Sequence, residues 1–180
     1  TVRLGQKSGT HLMYATSTPL VLEFPGTDWT LGFTSGAGEY NYSYKDYSSS
    51  SGLYTTKTQS INFSTQEVTA RYYLGNSFNI PLGYANYKIS YPDWVYSGVT
   101  YDIEYSITQL NYGIGNEWTY DWGGYFGLDW YQGGSKLNDE VKVKHKSGTE
   151  TSSTLAEATK TSTDIKAFAG VFVMTFGFGF

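Results

Sequence analysis

Apolar and polar residues alternate along most of this chain with a period of two. From Val99, one face reads Val99, Tyr101, Ile103, Tyr105, Ile107 and the other Thr100, Asp102, Glu104, Ser106, Thr108. From Trp118, one face reads Trp118, Tyr120, Trp122, Gly124, Phe126, Leu128, Trp130. The facing set is Thr119, Asp121, Gly123, Tyr125, Gly127, Asp129, Tyr131. Alternation sustained over such a length predicts strands, because successive side chains of a strand point to opposite faces.

Six further segments fit the same template. Residues 12–24 carry Leu12, Tyr14, Leu20, Leu22 and Phe24; residues 28–44 begin with Trp29, Leu31, Phe33 and end with Tyr40, Tyr42, Tyr44. Parity changes around Gly36, Ala37 and Gly38, which predicts a bulge or glycine kink. Residues 58–73 hold Ile61 and Phe63, then Val68, Ala70 and Tyr72, with one slip. Residues 77–91 carry Phe78, Ile80, Leu82, Tyr84, then Tyr87 and Ile89. A last strand over about 164–180 sets Phe168, Phe172, Met174, Phe176, Phe178 and Phe180 against Val171, Val173, Thr175, Gly177 and Gly179. A short first strand over 2–7 holds only Val2 and Leu4.

Short and long connections alternate. Pro25–Asp28, Leu74–Asn76 and Gly115–Glu117 read as tight turns; Lys45–Lys57, Tyr91–Gly98 and Gln132–Thr163 are longer and polar. The two kinds therefore fall on opposite ends of one sheet. The prediction is a single all-β domain over residues 1–180, an eight-stranded antiparallel barrel with a long loop at about 132–163. Ten strands are the alternative.

Composition decides which solvent each face meets. The 180 residues include 18 tyrosines and 21 glycines, while charged residues make up 16% against roughly 25% in soluble domains. No stretch approaches the ~18 apolar residues of a membrane-spanning helix. Any secretory signal is expected to have been removed from this form. With no cysteine, neither disulfides nor thiolate metal sites are available. A formal charge of −4 and only two arginines argue against nucleic acid. Alternation also suits a water-soluble ligand carrier of the lipocalin kind, but three features favour a transmembrane barrel. The polar face is mostly Gly, Ser, Thr, Asn and Asp, whereas water-exposed strand faces carry many Lys and Glu. The strands are far longer than the mean of about 5–6 residues in globular proteins. Aromatics gather near strand ends. Trp29, Tyr72, Phe78, Trp118, Phe178 and Phe180 fall at one membrane interface, and Tyr40, Tyr42, Tyr87, Tyr91, Tyr101, Trp130 and Phe168 at the other.

The final residues, Thr175, Phe176, Gly177, Phe178, Gly179 and Phe180, resemble the C-terminal assembly signal of bacterial outer-membrane β-barrels. The overall plan resembles small barrels of the OmpX, OmpW and OmpA-membrane-domain type. That resemblance implies an outer-membrane location, contact with outer-membrane lipids and lipopolysaccharide, and recognition by the barrel-assembly machinery through Phe176, Phe178 and Phe180. It also implies short periplasmic turns and longer extracellular loops. The specific motif covers only the last ten or so residues.

Strand parity points seven charges into the lumen: Glu23, Glu67, Arg71, Lys88, Asp102, Glu104 and Asp121. Confined charges must pair, so a structural ion-pair network is expected there; a gate or proton path is the sharper alternative. Small residues on the last strand's inner face are expected to make room for Tyr73, Tyr125 and Tyr131. Lipid A-modifying enzymes resemble this architecture and use an activated Ser with His and an acid. His11, beside Ser8 and Thr10, and His145, in the basic run Val141–Lys146, match no context of that kind and read as solvated loop histidines. The expectation is a barrel without catalytic residues, metal or cofactor, serving a structural role or meeting an extracellular partner through the 132–163 loop. A narrow channel for small or apolar solutes is the alternative, and a lipid A-modifying enzyme a weaker one.

Overall fold

Eight antiparallel strands close into one barrel in sequence order. They are β1 (Arg3–Ser8), β2 (Leu20–Pro25), β3 (Trp29–Ser48), β4 (Leu53–Tyr73), β5 (Phe78–Tyr96), β6 (Val99–Thr119), β7 (Gly124–Ser147) and β8 (Gly170–Gly179). One helix, α1 (Ser152–Thr163), follows β7. The computed structural model describes residues 2–9, 19–48, 53–75, 77–163 and 168–180. The expected strand over 12–24 is described only from residue 19.

The ring closes where β1 pairs with β8, from Arg3↔Gly179 to Ser8↔Met174, and Val2 and Phe180 exchange two further backbone hydrogen bonds. A row of paired residues starting at Gln6 runs through Leu20, Ser35, Gln66 and Asn86 to Thr108 on β6. In the other direction it runs through Phe176 and Phe126 to Trp118 on the same strand. The ring therefore closes with a stagger of ten residues, from Thr108 to Trp118. Such a shear tilts the strands, by about 35–45° in barrels of this class.

Among the described residues the wall is uneven in height. β3 to β7 are 19–24 residues long, whereas β1 and β2 have six each and β8 ten. The near end holds the tight turns after β2, β4 and β6. The third of these is at 120–123, where Gly123 donates to the Tyr120 carbonyl. Gly115–Glu117 is thus no turn but part of β6, and the alternation from Trp118 to Trp130 belongs to two strands. Trp118 and Phe126 are cross-strand partners with stacked rings 5.8 Å apart. A hairpin whose turn continues the alternation of both arms looks like one long strand in the sequence.

The expected kink at Gly36–Gly38 and the slip in 58–73 are absent. β3 and β4 pair without interruption from Trp29↔Tyr72 to Ser48↔Leu53. The apolar residues change faces instead. Near the tight turns, Leu31, Phe33, Val68, Leu82, Tyr84, Leu110, Tyr112 and Ile114 line the outer wall, and polar residues point inward. Farther along, Phe63, Tyr87, Ile89, Tyr105 and Ile107 are buried inside while Thr108, Ser106, Glu104 and Asp102 face out. The last outward apolar row, Phe33–Val68–Tyr84–Leu110, and the inward rows Tyr87–Ile107 and Phe63–Ile89–Tyr105 are continuous register rows. One barrel thus has two solvents. Its near part is apolar outside, as hydrocarbon requires, and its far part has the ordinary inside-apolar order of a protein in water.

The long connections are largely structured. β5 and β6 meet at a turn of Ser97 and Gly98, and β7 continues to Ser147 against β6. The expected loop at 132–163 is therefore a strand extension followed by α1. Val141 and Val143 sit on the inward face, opposite Tyr105 and Ile103. Ala158 of α1 is fully buried against Val99, Tyr101 and Ile103, and Thr154 Oγ1 lies 2.8 Å from the Tyr101 hydroxyl. The helix lies on the inner side of the far wall.

Candidate functional site: the barrel lumen

Inward side chains of the near part form ties between strands that are not neighbours. Arg71 on β4 reaches Asp129 on β7, with Nη1–Oδ1 2.6 Å and Nη2–Oδ2 3.2 Å, and also bonds Asn79. Its Nε lies 3.7 Å from Glu117 on β6. Arg3 on β1 donates to the same Glu117, which also accepts from the Tyr73 hydroxyl at 2.7 Å. Tyr73 lies 3.1 Å from Thr30 Oγ1. One level up, Lys7 on β1 meets Glu67 on β4 at 2.9 Å, and Asn111 on β6 donates to Glu67 at 2.6 Å and to the Tyr87 hydroxyl at 2.8 Å. All of these except Tyr73 and the part-exposed Arg3 are buried, so each charge needs the partner it has.

Above this network the filling turns apolar. Gln109 grips Phe168 by two bonds, Gln109 Nε2 to its carbonyl at 3.1 Å and its amide to Gln109 Oε1 at 2.8 Å. That fixes the Phe168 ring edge-on against Tyr87, centroids 5.2 Å apart, within a cluster of Phe63, Ile89, Tyr105, Ile107 and Val173. Tyr101, Val99, Ile103 and α1 complete the far end. Burial and the Asp139 carboxylate push the Tyr105 hydroxyl up to about 12. From bottom to top the bore holds salt bridges, amides, apolar rings and a helix.

The wall makes room for this filling at the closing seam. Gly5 and Gly177 are cross-strand partners, and a Cβ on Gly5 would lie 2.3 Å from the Tyr125 hydroxyl. Tyr125 lies against them, its ring 5.2 Å from the Arg3 guanidinium. Tyr73 also points inward, but Tyr131 is exposed on the outer wall.

Of the seven charges expected inside, the barrel gathers Glu23, Glu67 and Arg71. Asp121 is exposed in the near turn. Lys88, Asp102 and Glu104 lie on the outer face of the far part, where Lys88 and Glu104 pair at 3.1 Å and Lys146 pairs with Asp93 and Asp102. The last three depart from expectation for one reason: polarity marks the lumen only along the apolar belt, and above the belt it marks water. Asp121 departs because the turn falls at 120–123. Arg3, Lys7, Glu117 and Asp129 complete the network and escape the sequence reading. The signal exists: Asp129 already stands on the facing set that begins at Thr119, and Glu117 shares inward parity once the turn is placed at 120–123.

The aromatics divide likewise. Trp29, Tyr72, Phe78 and Trp118 are exposed on the outer wall at the near end, with Trp29 and Tyr72 rings 4.6 Å apart. Trp130 is exposed on the outer wall at a bulge, and Phe178 and Phe180 are exposed too. Tyr87, Tyr101 and Phe168 are interior residues, contrary to expectation. Tyr40 and Tyr42 lie on the continuation of the inner face, opposite Ile61 and Gln59. Both are exposed, whereas Gln59 opposite Tyr42 is buried and donates to the Pro92 carbonyl of β5 at 2.7 Å. Tyr84, Tyr112 and Tyr131 are further outward aromatics that the sequence reading does not single out for the wall. His11 lies outside the described residues. His145 is exposed, with Nε2 3.0 Å from the Gly148 carbonyl and its ring 5.8 Å from Tyr101. Among the described residues no group of His, Asp or Glu is arranged to hold a metal ion.

No family model and no curated protein match this sequence. Solved structures do. Acinetobacter baumannii CarO2 aligns with a TM-score of 0.50 at 11% identity, over 99% of this chain and 98% of that one. Acinetobacter baumannii CarO aligns at 0.46 with 14% identity, over 98% and 97%. A major outer membrane protein from Thermus thermophilus aligns at 0.41 with 12% identity, over 98% of each. At these identities the likeness concerns fold, and the fold is that of the small eight-stranded outer-membrane β-barrels.

Proposed function

We propose that this protein is a non-conducting, non-enzymatic barrel of the bacterial outer membrane, with its tight turns in the periplasm and its far part outside the cell. The observation that carries this reading is the set of ties across the bore, Arg71–Asp129, Arg3–Glu117 and Lys7–Glu67, beneath an apolar plug. An ion path would have to break buried pairs and then cross a dry aromatic cluster. What remains for function is the body itself, as a rigid membrane element, and the water-exposed cap built from β3–β7 and α1. Outer-membrane lipids and lipopolysaccharide are the natural contacts of the apolar belt and its polar upper margin. An extracellular partner would meet the cap, including residues 132–163, and the alternating Phe176, Phe178 and Phe180 suit the barrel-assembly machinery.

Planar-bilayer recording tests the reading. Purified, refolded protein should give no steady conductance above that of the bare bilayer. Stable unitary steps in the wild-type protein would assign it instead as a narrow channel.

A further inference from the structure

The outer wall of the near part is apolar on every strand, with a few polar side chains set into it, Asn116 on β6 and Gln6 at the closing seam among them. Gln6 of β1 is exposed between Leu20 on β2 and Phe176 on β8, its two register partners, themselves about half exposed. The barrel's stagger fixes its depth. The register row through Gln6 reaches Trp118, in the near aromatic ring, after three strands, and reaches Thr108, just above the apolar belt, after five in the other direction. Gln6 therefore lies well inside the belt. Among the described residues no side chain bonds its amide. Asn116 shows the alternative, since it accepts from Trp130 Nε1 at 2.8 Å and donates to Ser77 Oγ at 2.9 Å. An unpaired amide in hydrocarbon is costly, and polar side chains at such depth commonly bond a neighbour in the membrane.

Beside Gln6 the wall is indented. A groove of about 220 Å³ is lined by Leu4, Leu20, Phe176 and Phe178, over the glycine pair Gly5 and Gly177.

We infer that the β8–β1–β2 face is a homodimer interface within the membrane, in which Gln6 of one copy bonds Gln6 of a second across a twofold axis. An amide carries both donors and an acceptor, so two of them facing each other satisfy both. A twofold contact brings identical residues together at its axis. Among the described residues no charge lies on the face to oppose the approach. Aromatic and leucine side chains of each copy fill the groove of the other. The inference rests on the membrane-barrel reading.

The chain contains no cysteine, so single-cysteine cross-linking in lipid vesicles is a clean test. Gln6→Cys should form disulfide-linked dimers several-fold more readily than Leu82→Cys, on the opposite wall. In unlinked protein, Gln6→Leu should weaken dimerisation roughly 3- to 30-fold, the range of single membrane hydrogen bonds. Gln6→Asn should retain part of it. Brominated-lipid quenching of tryptophan, run on the same vesicles, reports insertion separately. Equal cross-linking at positions 6 and 82 in inserted protein would overturn the dimer while leaving the membrane barrel intact. Protein that is monomeric throughout but loses bound lipid in Gln6→Leu would give the groove to a lipid chain and also overturn it. Absence of quenching would overturn both readings.

Discussion

Arg71 and Asp129 face each other across the bore in a forked ion pair, 2.6 and 3.2 Å long, with the side chains of both almost wholly buried. Planar guanidinium and carboxylate match in two parallel bonds, which an ammonium cannot reproduce. Arg71→Ala leaves Asp129 and Glu117 short of a cation and should cost about 3–5 kcal/mol. Urea titration of folding into detergent micelles would measure it. Arg71→Lys should recover only part of the loss. A change within error of zero would mean that water reaches Asp129 freely and the bore is not packed.

The exchange of faces along β6 has a direct consequence for substitution. Ile114→Arg places a charge on the apolar belt and should cost about 2–4 kcal/mol in a bilayer. Thr108→Arg, six residues along on the same outward side but above the belt, should stay within about 0.5 kcal/mol. Ile107→Arg, one residue farther and inward, buries an unpaired charge among Tyr87, Tyr105 and Phe63 and should be as damaging as the first. Equal effects at 108 and 114 would remove the two-solvent description.

Gly177 lies where β8 and β1 come together over Tyr125. A Cβ there would be 2.1 Å from the Leu4 carbonyl oxygen and 2.7 Å from the Tyr125 ring. Gly177→Ala should therefore cost about 1–3 kcal/mol through forced displacement of the seam. Because one of the obstacles is backbone, Tyr125→Ala should rescue it only in part. Heat-modified gel mobility of the two variants would separate these outcomes.

Acid should loosen the β5–β6 turn. The Asp93 amide hydrogen bond, with Lys146 beside it, holds the exposed Asp102 carboxyl below its ordinary value. A carboxyl lowered on folding stabilises above its unfolded pKa, and that contribution is lost as pH falls through the folded value. The protection of the Asp93 amide, measured against its intrinsic exchange rate, should thus fall in acid, whereas in Asp102→Asn it should be low at every pH. An Asp93 amide equally protected across that range would refute the link.

The sequence by itself determined the all-β class, the antiparallel order, the tight turns after β2 and β4, and the outward placing of residues such as Leu31, Leu82 and Phe176. Those follow from a period of two and from the scarcity of charge, which are local properties. It could not tell a bulge from an exchange of solvents, because both shift the apolar residues by one position. Gly36–Gly38 reads as the first and is the second. Only the register across neighbouring strands, which joins Phe33 to Val68, Tyr84 and Leu110, shows that the change occurs along one row shared by β3 to β6. The same register decided which charges meet. Arg71 is legibly an inward cation and Asp129 stands on a facing set, but they are 58 residues apart on strands that are not neighbours, and Lys7 and Glu67 come together only when the ring closes with its stagger of ten. Partners across a barrel are set by shear, and shear is a property of the closed ring rather than of any segment in it.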